Sequence, residues 1–341
     1  MTSLFDDTPS FSDDEIPQFD VVSDISDHHF AGKRLKTSLS TSISTIASVH
    51  KKIMQEWKVL SENLPESIFV RAYETRIDLL RAAIVGAQGT PYHDGLFFFD
   101  IAFPSDYPAK PPVVYYHSFG YRINPNIYNN GRVCLSLLNT WNGKKSEKWD
   151  SKNSTVLQLL LSIQALVLNE KPFFNEPALP PWLGRAFWEK KSITYNERMF
   201  ILSCKTMLLV LRRPLKNFEP LINQHFKDRA EFILNACDSY RKGLPKDGFV
   251  KGEVSAKFQG EMDRLYGVLV LAFSKTGAHV EPLLQQVREE KEMKAKEKTA
   301  TDTATATYVG KIISVVSKLK KIVFWGFTTE NKNKKSKTDI D

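Results

Sequence analysis

The hydrophobic rhythm of the chain changes twice in its first third. Val49, Ile53, Trp57, Leu60 and Leu64 recur every three to four residues, which predicts a helix over 48–62. Runs dense in aromatic and β-branched residues follow. Leu79–Val85 stops at Gly86, Leu96–Phe103 (LFFFDIAF) stops at Pro104, and Pro112–Tyr116 carries VVYY behind a double proline. A weaker run, Ile68–Tyr73, supplies a first strand. The connection Gly89–Gly95 (GTPYHDG) is turn chemistry, so the strands on either side of it should form a hairpin. A helix leading into a four-stranded antiparallel meander predicts an α+β fold.

Residues 117–154 then lose all periodicity and are rich in Asn, Gly and Tyr. A stretch of that length inside a compact domain points to a functional surface. Ser154-Thr155 reads as a helix N-cap, and Val156–Leu168 (VLQLLLSIQALVL) is apolar nearly all round, the mark of a buried central helix. Lys171–Leu183 is punctuated by proline, and helices follow over 192–212 and 216–242, the latter ending at Gly243. A mixed helical segment spans 254–274, Lys291–Lys298 is a charged run, and Thr299–Thr307 is of low complexity. Val309, Ile312, Ile313, Val316, Leu319 and Val323 then form an apolar stripe among lysines. The expected organisation is a disordered acidic tail over 1–47, a core domain over 48–213, a C-terminal helix packed on it over 214–243, and a basic, partly helical, partly disordered extension over 244–341.

Length and composition narrow the class. The 341 residues suggest two domains, or one with tails, and 42% apolar content can build a real core. Three cysteines (Cys134, Cys204, Cys237), none in a C-x-x-C pair, exclude a disulfide framework or a cysteine-rich zinc site. No uncharged apolar window is long enough to predict a spanning helix, and the acidic start lacks the order of a secretory signal. An intracellular compartment, cytoplasmic or nuclear, is therefore expected. Net charge is +8, but residues 1–32 hold eight acids and no Lys or Arg, so the remainder carries +16. No DNA- or RNA-reading motif accompanies the scattered basic residues, and no nucleic-acid partner is expected.

The aperiodic stretch carries the chemistry. It contains Asn124-Pro125-Asn126, with Cys134 eight residues after Asn126. In chain order the sequence reads FPSDYPAKPPVVYY, NPNIYNNGRVCLSLLNTW, STVLQLLLSIQALVL and NEPAL. These four blocks resemble the ubiquitin-conjugating enzymes (class E2), whose pattern runs FPxxYPxxPP, a strand, HPN, G-x-[IV]-C-L, a tryptophan, a helix and an acidic-Pro pair. The likeness covers roughly 49–213. It is greatest to the O-type conjugating enzymes and their shorter plant relatives, through NPN, CLSLLxTW, the loop ending in Trp149, and Tyr195-Asn196-Glu197 to Arg212-Arg213-Pro214.

The resemblance implies a UBC fold and a transferase that accepts ubiquitin as a thioester from an activating enzyme, which itself uses ATP, and passes it to a substrate lysine. No bound cofactor or metal is implied. Cys134 would be the acyl carrier, since a thiolate is both a good nucleophile and a good leaving group. It lies in an irregular polar stretch between Arg132 and Ser136, where exposure is expected, whereas Cys204 and Cys237 fall on helical stripes and read as small core residues. Asn126 is the candidate amide for the oxyanion, or a turn residue bonding its own backbone, and the two roles are compatible. Glu176 occupies the gate position for positioning or deprotonating the incoming amine, with Asn175 beside it.

Three departures stand out. Asn124 replaces the usual His, Ala109 replaces a bulky ligase anchor, and Asn142–Asn153 (NGKKSEKWDSKN) replaces a short loop. They leave the need for a separate ubiquitin ligase open and suggest that the enzyme selects some protein substrates itself. Two other functions remain: a catalytically silent relative acting as a ubiquitin-binding module, and a cysteine hydrolase drawing on His93 or His117. The 309–327 stripe has the pattern of a membrane-surface helix, although a helix docked on its own domain or left free is preferred. Lys33–Lys36 and Lys332–Lys337 are weak nuclear-import signals, and Leu4-Phe5 and Ile16–Phe19 are short docking candidates within the tail.

Overall fold

The computed structural model describes residues 16–33, 43–141, 143–176, 184–244 and 253–333. Five strands form one sheet in sequence order: β1 (Phe19–Val22), β2 (Ile68–Tyr73), β3 (Leu79–Val85), β4 (Leu96–Ala102) and β5 (Val113–Tyr116). β2 to β5 make the expected antiparallel meander, with Leu80 opposite Ile101 and Ile101 opposite Val114. Side chains alternate between the faces, as strand geometry requires. Val70, Ala82, Phe97, Phe99 and Ile101 point inward. There they meet Ile53, Trp57 and Leu60 of α1 (Ile43–Asn63) and Val156, Leu159 and Leu160 of α2 (Val156–Ser162).

Thr155 caps α2 through a reciprocal pairing with Gln158, and the helix runs on as a π-turn over Ile163–Val167. Glu56, buried at 1% exposure, joins three parts of the core. It accepts the Val156 N–H at 2.9 Å and the Tyr107 hydroxyl at 2.7 Å. Those two bonds tie α1 to the central helix and to the proline-rich turn.

The outward positions of the sheet are buried as well, and here the structure departs from expectation. Residues 16–33, expected to lie in a disordered tail, are ordered. β1 runs parallel to β2, with Phe19 opposite Val70 and Val22 opposite Tyr73, so the sheet has five strands rather than four. Arg71 fixes the entry by donating to the Pro17 carbonyl at 2.9 Å, and Phe19 packs on Trp57. The chain then crosses the outer face. Phe30 joins Tyr73, Leu79 and Ala102 in a second small core, and His29 stacks on Tyr115 at 3.6 Å.

One acid of this segment, Asp27, joins a buried cluster. Asp27 pairs with Arg81 at 2.7 Å, and Arg81 also bonds Asp100 at 2.6 and 3.0 Å. Asp100 further accepts the His29 N–H at 2.7 Å and lies 2.9 Å from His117 Nε2. Burial alone would raise the Asp100 carboxyl, but His117 and Arg81 outweigh it and hold the group well below the usual range. Residues 1–15 and 34–42, with Leu4-Phe5 and most of the Lys33–Lys36 cluster, lie outside the described residues.

Three further helices complete the compact unit: α3 (Arg185–Arg212), α4 (Glu219–Arg241) and α5 (Ala256–Ser274). Phe200, Tyr240 and Phe258 bring one ring from each into contact. Cys204 and Cys237 sit fully buried on α3 and α4. Glu197 reaches Ser255, the cap of α5, accepting from both its N–H and its hydroxyl at 2.8 and 2.7 Å. α4 is clipped to the β3–β4 turn by Arg229, which bonds Asp94 at 2.8 Å. α6 (Glu281–Asn333) belongs to a second unit. It is one 53-residue helix, and the low-complexity segment Thr299–Thr307 lies within it. Tyr308, Val309, Ile312, Ile313 and Val316 are exposed on it, and no described helix is long and apolar enough to cross a membrane. Lys334 to Lys337 lie outside the described residues.

Candidate active site

The aperiodic stretch folds into a small two-stranded hairpin held by side chains. Ile127 faces Val133 across an antiparallel bridge, and both are buried in the main core. Gly131 closes the turn with φ +86°, and a Cβ there would run into the Tyr115 ring, so glycine is required on two counts. One step from the bridge, Cys134 and Asn126 hold each other. The Cys134 N–H donates to the Asn126 carbonyl at 2.8 Å, and Asn126 Nδ2 donates to the Cys134 carbonyl at 2.9 Å. Asn126 Oδ1 has no protein partner.

Thr140 clamps the other side of the cysteine. Its hydroxyl accepts the Leu135 N–H at 2.9 Å and donates to the Val133 carbonyl at 3.0 Å, so both neighbours of Cys134 are fixed by one side chain. Sequence reasoning quoted Thr140 within CLSLLNTW without giving it a role. Asn124, fully buried, is a hub. It donates to the Tyr92 hydroxyl at 2.9 Å and the Val167 carbonyl at 2.7 Å, and accepts the Asn126 N–H at 2.8 Å. An amide does this as well as an imidazole could, because it both donates and accepts.

Asn175 is half-buried and bonded into the Asn124 network. Its Nδ2 donates to the Leu166 carbonyl at 3.1 Å and approaches Asn124 Oδ1 at 3.4 Å, while Asn169 donates to its Oδ1 at 2.9 Å. Those bonds anchor the residue preceding Glu176. Glu176 is itself half exposed, with Oε2 4.0 Å from Arg122 Nη2. Residues 177–183, including Pro177 of the acidic-Pro pair, lie outside the described residues. Trp149 donates to the Pro108 carbonyl at 2.7 Å, which seats the end of the long loop on the proline-rich turn beside Ala109.

The expectation of an exposed sulfur needs correction. Cys134 is only 3% exposed, and its N–H and carbonyl are both taken up by Asn126. An acyl group can reach Sγ only along a narrow approach or after local movement. His93 pairs with Asp94 at 2.9 Å and stacks on Phe200, and His117 pairs with Asp100, so both histidines considered for a hydrolase are engaged by other carboxylates. Among the described residues no group of three or more ligating side chains could hold a metal.

Comparison with known proteins agrees with this architecture. The family model described as ubiquitin-conjugating enzyme matches residues 52–199. The chain is 52% identical to ubiquitin-conjugating enzyme E2 24 of Arabidopsis thaliana over 76% of its own length but only 29% of that relative. It is 50% identical to ubiquitin-conjugating enzyme E2 38 of the same plant, across 76% of this chain and 81% of the relative. A human protein named as a dual E2 ubiquitin-conjugating enzyme and E3 ubiquitin-protein ligase matches at 39% identity, over 56% of this chain and 4% of its own length. With the sheet, the capped central helix, the NPN hub and the cysteine hairpin all in family order, the chain belongs to the ubiquitin-conjugating enzymes.

Proposed function

We propose that the protein carries ubiquitin as a thioester on Cys134 and passes it to a lysine amine of a protein substrate. The observation that carries this reading is the reciprocal Cys134–Asn126 pairing inside a family-type core, which presents a cysteine and an amide side by side. In the first step the Cys134 thiolate attacks the thioester of the activating enzyme; a new S–C bond forms, and the donor's thiolate leaves. In the second, a lysine amine attacks that carbonyl, an oxyanion forms, and Cys134 departs as thiolate.

Asn126 supports the second step in two ways. It anchors the loop through one N–H of its amide, and the other can meet the oxyanion, a contribution on the order of 2.7–4 kcal/mol. Glu176 stands as the acid that orients or deprotonates the amine, and Asn175 is a positioning residue for it. The partners on this reading are ubiquitin, an ATP-using activating enzyme and protein substrates, in an intracellular compartment. Substrate selection by the chain itself fits the basic surface, the long loop ending at Trp149, and a relative whose name joins conjugating and ligase functions.

The test is incubation of the full chain with activating enzyme, ATP and ubiquitin. A thiol-sensitive adduct is expected, and Cys134→Ser should give a thiol-resistant ester instead. An adduct that survives thiol in the wild type, or none at all, would overturn the proposal and favour a silent binding module.

A further inference from the structure

The long helix α6 changes character along its length. Residues 281–298 carry five acids and five bases, the mixture of a solvated surface. No acid falls between Asp302 and Glu330, and that stretch holds Lys311, Lys318, Lys320 and Lys321. Val309, Ile312, Ile313, Val316, Val323 and Phe327 step along it at intervals that share one helix face. Lys311 and Lys318 each follow a residue of that stripe by two positions, so they stand about 200° round the helix from it.

Val309, Ile312, Ile313 and Val316 are each at least 45% exposed, so at these residues the stripe is not packed away. Apolar side chains held in water on successive turns carry a cost that a partner removes. Charge decides which partner. A second copy of the helix would set lysine beside lysine, with no acid to form the interhelical pairs that flank a two-stranded seam. Insertion across a bilayer does not fit either, since no described helix is long and apolar enough to cross one. An anionic phospholipid surface matches both faces. The apolar side enters the boundary between headgroups and acyl chains, and the lysines meet the phosphate and carboxylate groups. Lys320 falls on the apolar side, a position lysine tolerates at an interface because its stem follows apolar surface while the ammonium stays in water.

We infer that residues 309–327 of α6 bind an anionic phospholipid surface, lying in its plane with the apolar stripe inward. At 1.5 Å per residue the segment is about 27 Å long, five turns of helix laid on the headgroups. Each lysine near such a surface strengthens the partition about fivefold. Cys134 takes no part in this contact, so vesicle binding and ubiquitin transfer can fail separately.

The experiment co-sediments the full chain with vesicles of phosphatidylcholine alone and of phosphatidylcholine mixed with phosphatidylserine. The wild type should bind the mixed vesicles about tenfold or more tightly than the neutral ones, and high salt should weaken that binding. Ile312→Ser with Val316→Ser keeps the net charge and removes two apolar anchors, so binding to the mixed vesicles should fall about tenfold or more. Lys311→Ala with Lys318→Ala keeps a strong helix former at both places and should lower binding on the order of 20-fold. Binding that survives the serine pair unchanged would assign it to the basic remainder of the chain and overturn the inference, as would no sedimentation with either vesicle. A dimer in light scattering that the serine pair abolishes, without vesicle binding, would overturn it in favour of a second copy.

Discussion

The cysteine hairpin and the outer face of the sheet are both buried and both crowded with polar side chains, yet they are held by different chemistry. Around Cys134 the bonds come from neutral groups: the amides of Asn124, Asn126 and Asn175 and the hydroxyls of Thr140 and Tyr92. On the outer face they come from charge: Arg81 with Asp27 and Asp100, and His117 beside Asp100. Neutral donors add no fixed charge beside the Cys134 sulfur, which suits the proposed cycle between thiolate and thioester. The charged cluster instead fixes one register of the N-terminal segment, since any shift would strand a buried ion.

The largest expected effect lies on the charged side. Asp100→Ala leaves Arg81 buried with Asp27 as its remaining carboxylate, so unfolding stability should fall by about 3–5 kcal/mol, read from denaturant midpoints. A loss below about 1 kcal/mol would mean that solvent reaches the cluster.

Next comes Asn126→Ala. It should still charge with ubiquitin but discharge to lysine on the order of 10²-fold more slowly. Equal single-turnover rates would take the amide out of the chemistry and leave it as a loop anchor. Thr140→Val, which keeps shape but loses the hydroxyl that grips Val133 and Leu135, should cost about 1–3 kcal/mol and loosen the hairpin, seen as faster amide exchange over 133–135.

The smallest effect separates the two regions by pH. Burial pushes the His28 imidazole below its ordinary value, and nearby Asp100 offsets this only in part. The unfolded chain takes up that proton near pH 6.5, so the stability from neutral His28 is complete above that value and is lost as pH falls below it. Asp100, Arg81 and His117 face the same site, and Asp100 stays ionised throughout. Amide exchange should therefore quicken over 24–33 between pH 7 and 5, after correction for intrinsic rates, while 124–134 holds. Asp94 adds a later step. Burial works to raise its carboxyl, but bonds from His93, Gln88 and Arg229 bring it down to about 2. Its contribution is present above about pH 4 and fades only as pH falls toward 2.

The meander and central helix were legible because alternation and capping leave direct marks: β2 and β3 fall where Ile68–Tyr73 and Leu79–Val85 lie, and Thr155 caps where expected. The N-terminal segment was not. Its acids read as solvated charge, and only the distant Arg81 and Arg71 turn Asp27 and the Pro17 carbonyl into fixed partners. One signal was present: within LFFFDIAF, Asp100 falls on the face opposite Phe99 and Ile101, and a buried acid demands a cationic partner. The candidate residues were singled out by pattern, but their bonding was not legible. No spacing rule reveals that Asn124 and Asn175 share one amide network, or that Thr140 holds both neighbours of Cys134. The 3% exposure of that cysteine was equally hidden, because the polar stretch around it is ordered by its own side chains.

The most direct measurement is to charge the full chain with ubiquitin, digest it under non-reducing acid conditions and locate the modified cysteine by mass spectrometry. The account predicts the ubiquitin C-terminus on the peptide containing Cys134, with Cys204 and Cys237 unmodified. Ubiquitin on either of those two, or no modified cysteine under conditions where the activating enzyme is charged, would contradict it.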